Sequence, residues 1–167
     1  MCICVEYDFI KQRTILCWQD IRYALQHEFI TIDVAMRYCV DRIAIEQDPV
    51  SDLVGMYLSS DSEEIVSYVK NFAESELPIS LCDIQRKWIY IVLSWLYDNR
   101  HEYFDPLEMV ESVYSTFDYP KAIASFVRYM PMQGPDLGSK EKNEMRLMER
   151  WHEYILRESK MFAPTDH

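Results

Sequence analysis

From Leu81 to about Asn99 apolar side chains lie almost all the way round a helical wheel. Ile84, Trp88, Ile91 and Trp95 form one stripe, and Ile89, Val92, Leu93 and Leu96 fill the rest. A helix with so little polar surface is stable in water only when other elements surround it, so this segment predicts a central helix with the core assembled about it. Ser80, followed three residues later by Asp83, supplies a start signal. The rest of the chain offers little else but helices. Only 3 Gly and 7 Pro occur in 167 residues, whereas a sandwich or barrel needs a turn signal roughly every ten residues. The expected fold is all-α, with about seven to nine helices in a single domain over residues 1–167. Ile84, Trp88, Ile91, Val92 and Trp95 are expected among its most buried residues.

Periodicity and punctuation divide the remaining chain. Val5, Phe9 and Ile10 fit one face of a helix from Ile3 to about Gln12, and a second runs from Trp18 to His27 with Ile21, Tyr23, Ala24 and Leu25 inward. Thr31 is a candidate N-cap for a helix to about Glu46, closed by Asp48-Pro49. Val50 to Leu58 reads as a short helix. Asp61-Ser62-Glu63-Glu64 looks like a capping box opening another, with Ile65, Tyr68, Val69 and Phe72 inward and Leu77-Pro78 as its stop. Asp105-Pro106 opens a helix to about Thr116, and Asp118 with Pro120 starts one that ends before Pro131. Ser139 caps a last helix through Glu158, in which Met145, Met148, Trp151, His152 and Ile155 recur at three- and four-residue spacing.

The formal net charge of −11 argues against nucleic acid or anionic lipid as a partner, since both are bound mainly by Lys and Arg releasing counterions. It is explained either by solubility or by a basic protein partner, which an acidic surface steers and selects. Cys2, Cys4, Cys17, Cys39 and Cys82 are odd in number and form no Cys-x-x-Cys pair, as expected of reduced thiols in the cytoplasm. No signal peptide or membrane span is expected, since the first residues lack a basic stretch with an apolar core and no apolar run reaches membrane length.

No motif announces chemistry. His27, His101 and His152 each precede a glutamate, but no two histidines share a helix face at metal-ligand spacing. Neither a nucleophile elbow nor a glycine-rich phosphate loop occurs, and Glu108 and Glu111, three apart on one helix, read as solvated surface. No catalytic residue, cofactor or metal is therefore expected. Charge is more informative. Residues 46–76 carry eight acids against Lys70 alone and residues 98–118 carry six against Arg100, leaving the remainder nearly balanced. Tyr and Phe are interspersed among these acids, as at protein interfaces. The expected partner-binding residues are Asp61, Glu63, Glu64, Tyr68, Glu74 and Glu76, because Glu74 and Glu76 gain little from the dipole at a helix C-terminus and are then explained by solubility or by a partner. The other reading open to the sequence is a small enzyme or metal protein in which His101, His152 and carboxylates converge from separate helices. A dimerising scaffold with a large apolar patch is a third.

Several segments carry a resemblance. Trp18-Gln19-Asp20-Ile21, the run from Lys87 to Tyr97, Asp118-Tyr119-Pro120, the run from Phe126 to Pro131 and Pro135-Asp136-Leu137-Gly138-Ser139 look like an uncharacterised bacterial family of small acidic helical proteins. Some of its members are associated with immunity proteins that neutralise polymorphic toxins. The resemblance implies a non-catalytic protein, possessing no carried-over active-site residues, whose partner is a basic toxin domain such as a nuclease.

Overall fold

The computed structural model describes residues 3–46 and 51–164. Eight α-helices and two 3-10 helices make up the regular structure of the described residues, and no strand occurs among them. The helices are α1 (Tyr7–Lys11), α2 (Trp18–Gln26), α3 (Ile32–Ile45), α4 (Ser51–Leu58), α5 (Ser62–Ser75), α6 (Leu81–Asp98), α7 (Pro106–Thr116) and α8 (Lys140–Phe162). The 3-10 helices are Arg100–Glu102 and Lys121–Phe126. The all-α expectation holds. Val50 and the break expected at Asp48-Pro49 lie outside the described residues. No described helix is long and apolar enough to cross a membrane.

Contacts group the chain into two compact units, one built on Cys2–Trp88 and one on Ile89–Ala163, with the boundary inside α6. In the first, α5 packs along α2, and α3 lies against α1, α4 and α5. Trp18 is sandwiched, stacking on Phe72 at 4.6 Å between centroids and meeting Tyr38 edge-on at 4.7 Å. Where the sequence predicts a helix from Ile3, the chain is extended to Glu6: Ile3 and Val5 are buried, Cys4 and Glu6 exposed, and Val5 N–H donates to the Phe29 carbonyl at 2.8 Å. Burial with a period of two marks extended backbone, and four residues were too few to reveal it.

Trp88, Ile91 and Val92 are fully enclosed and Ile84 is buried, as expected, but Trp95 is only half-buried. Trp88 also donates its indole N–H to the Asp20 carbonyl at 3.1 Å. In the second unit α8 packs on the 3-10 helix Lys121–Phe126. Its buried stripe is Trp151, Tyr154 and Glu158, whereas Met145 and His152 of the expected stripe are exposed. The segment after Pro120 is 3-10 rather than α, and Asp118 does not open it. Asp118 (φ 57°) and Tyr119 (φ 59°) instead close α7, with Tyr119 N–H donating to the Tyr114 carbonyl at 2.8 Å. Glu28 (φ 58°) does the same for α2. A chain this poor in glycine thus fills left-handed caps with residues that cost roughly 1–2 kcal/mol more there.

Candidate functional site

The six residues expected to bind a partner all belong to α5 or its caps. Asp61 is the N-cap and accepts from Glu63 N–H at 3.0 Å. The box expected there does not close, because the Glu64 carboxylate accepts from the Ser59 hydroxyl. Tyr68 is half-buried, its ring 6.3 Å from that of Phe72. Its hydroxyl occupies the space over Gly55, where an added Cβ would lie 2.6 Å away. Glu74 stands 3.7 Å from Arg22 on α2.

Glu76 has a different task from the one its position suggests. Its two carboxylate oxygens accept from the N–H groups of Trp18 and Gln19, at 2.9 and 3.0 Å. A carboxylate from the far end of α5 therefore caps the positive end of α2. Gln19 reinforces the join by donating to the Leu77 carbonyl at 2.8 Å and accepting from Ile79 N–H at 3.0 Å. No sequence signal marks this cap, since its partners lie 57 and 58 residues apart. Solvent-facing on α4 and the start of α5 are Asp52, Asp61, Glu63 and Glu64, together with Val54, Tyr57, Leu58 and Val66.

Next to the Glu76 cap, the fully buried Asp20 accepts from Lys87 Nζ at 2.6 Å and from the Cys17 backbone N–H at 3.0 Å. The Cys17 thiol also points at it, 3.3 Å away. Burial and the neighbouring Asp20 push that thiol up to about 12, the opposite of what a nucleophile requires. The ensemble is a charged strut. His101 lies exposed in a 3-10 turn, and His152 is exposed on α8 with its ring stacked 5.0 Å from Tyr97. No group of three or more His, Cys, Asp or Glu among the described residues could hold a metal ion.

The acids of the second acidic segment are partly internal. Asp105 caps α7 through Oδ1 and meets Arg128 Nη1 through Oδ2 at 2.7 Å, while Glu111 accepts from Arg128 Nε at 3.1 Å. Glu111 is therefore an anchor for Arg128 rather than merely solvated surface; Glu108 is exposed. The loop after Met130 is latched to α8: Asn143 bridges Asp136 and Leu137 N–H, Arg146 donates to the Pro135 carbonyl, and Arg150 donates to those of Ser125 and Gln133.

Among known proteins, the sequence model of a family described as an uncharacterised protein conserved in bacteria, DUF2247, matches residues 7–159. No curated protein and no solved structure matches the chain.

Proposed function

Since the chain belongs to this uncharacterised, conserved bacterial family, we propose that it is a non-catalytic protein-binding module of the cytoplasm, acting as an immunity protein that sequesters a basic toxin domain. The observation that carries the reading is the outer side of α4 and the start of α5. There Val54, Leu58 and Val66 are exposed at 37%, 74% and 46% beside Asp52, Glu63 and Glu64, which no ion pair engages among the described residues. Exposed aliphatic anchors rimmed by unneutralised acid suit a partner with an apolar patch surrounded by Lys and Arg. Glu74 and Glu76, tied to Arg22 and to the start of α2, contribute the platform instead of the contact.

The test is to express each gene neighbouring this one in its source bacterium, with and without this chain, and to score survival. Rescue from one toxic neighbour, together with a stable complex of the two proteins, is the expected result. If no neighbour is toxic, or a toxic one still kills at equal expression, the immunity reading is wrong.

A further inference from the structure

A groove of about 490 Å³ lies over α8 in the second unit, walled on one side by residues Val127 to Gln133 and on the other by the first three turns of the helix. That volume falls within the range of small-molecule sites, roughly 300–1,000 Å³. Its walls are of two kinds. Val127, Met130, Met132 and Leu147 supply an apolar side. Arg128, Lys140, Arg146 and Arg150 supply four cations against the single carboxylate of Glu144, in a chain whose net charge is −11.

The cations are not equivalent. Arg128 is held by Asp105, Glu111 and Glu144 at 2.7, 3.1 and 3.6 Å and is neutralised in place, while Lys140, its side chain 78% exposed, stands 3.7 Å from the same Glu144. Arg146 and Arg150 hydrogen-bond to backbone carbonyls, at 2.7 Å for Pro135 and 2.6 and 3.2 Å for Gln133 and Ser125, and no ion pair engages either among the described residues, although the Asp136 carboxylate lies near Arg146. A carbonyl satisfies an N–H but cancels no charge, so Arg150 keeps its charge beside an apolar wall and Arg146 is offset only by the nearby Asp136. Arg146 Nε is in addition buried with no hydrogen-bond partner. Fastening a loop to carbonyls could be done by neutral donors, whereas a planar, permanently charged fork matches a carboxylate.

We propose that this groove binds a small amphiphilic organic anion, with its carboxylate toward Arg146, Arg150 and Lys140 and its aliphatic body along Met130, Met132 and Leu147. The site is independent of the partner-binding reading, whose residues belong to the other unit.

Anilinonaphthalene sulfonate, itself an amphiphilic anion whose fluorescence rises in apolar surroundings, serves as the probe for the intact chain. Competitors separate the two halves of the ligand: octanoate has charge and body, octanol the body alone, acetate the charge alone. One saturable site is expected, from which octanoate displaces the probe at concentrations at least about tenfold lower than octanol or acetate. Two substitutions spare the fold. Met132 is 54% exposed, and the side chain of Lys140, at the first turn of α8, is 78% exposed. M132E and K140E are each expected to weaken probe binding by about tenfold or more with melting temperature and near-ultraviolet circular dichroism unchanged, and E63K to leave it intact. Octanol displacing as well as octanoate, wild-type binding by both groove variants, or no saturable binding overturns the proposal.

Discussion

Asp105 does two things with one carboxylate. Oδ1 accepts from the N–H groups of Leu107 and Glu108 at 3.1 and 3.2 Å, and Oδ2 meets Arg128. The hydrogen bond from Arg128 holds the carboxyl below its ordinary value of 3.8. Folding therefore favours the ionised form, and the stability this contributes is complete above pH 3.8 and is lost as pH falls through the lower, folded value. Asp105→Asn keeps a capping oxygen but loses the ion pair. It is expected to cost about 1 kcal/mol at neutral pH. Its stability should then fall less steeply than wild type below about pH 4, as read by urea denaturation across pH. An unchanged acid slope would mean that the Arg128 pair is not coupled to folding. The cap was legible from Asp-Pro in the sequence, because capping is settled within three residues. Arg128 was not, because its carboxylates stand 17 and 23 residues away.

Among the elements, α2 depends most on a distant residue. Its N-cap is Cys17, whose backbone N–H is taken by Asp20, and its first two N–H groups, of Trp18 and Gln19, are capped by Glu76. Glu76→Ala removes both acceptors from the positive end of a helix and is expected to destabilise the chain by about 1–2 kcal/mol, with Glu76→Gln intermediate because it retains one oxygen and no charge. Equilibrium unfolding measures this; equal stability of the Ala variant would show that water caps α2 as well. The same logic explains which helix faces were misjudged. On α8 an apolar residue recurs at nearly every third or fourth position, so spacing defines a broad stripe but not which edge of it meets the core. Packing on Lys121–Phe126 selected Trp151 and Tyr154 and left Met145 outside.

For the molecule as a whole, a charge of −11 bears on association more than on architecture. Within the acidic segments the structure separates carboxylates with internal work, such as Glu76, Asp105 and Glu111, from those turned outward, such as Glu63 and Glu64. A charge-reversal test belongs on the second class. Glu63→Lys with Glu64→Lys is expected to slow association with a basic partner by about tenfold at low salt and to flatten its dependence on ionic strength, since exposed rim charges act mainly on the on-rate. Stability should change by no more than about 1 kcal/mol, because the two lysines face the positive end of α5. Stopped-flow binding across a salt series decides it: wild-type rates in the folded variant would place the interface elsewhere, with the carboxylates after Asp98 next in line.

Helical class, most element boundaries and the burial of Trp88, Ile91 and Val92 were determined by the sequence alone. They follow from glycine scarcity, from Ser80, Asp61, Asp105 and Ser139 acting on amides two or three residues ahead, and from an apolar run that leaves one helix no face to expose. Tertiary structure decided the rest. Whether Glu76 faces water or a helix end, whether Arg128 is free or clamped, and where Met130 meets Leu147 in a groove depend on residues far apart in sequence. A side chain's charge and shape are local properties, but its burial and its partner are fixed only when the chain returns to it.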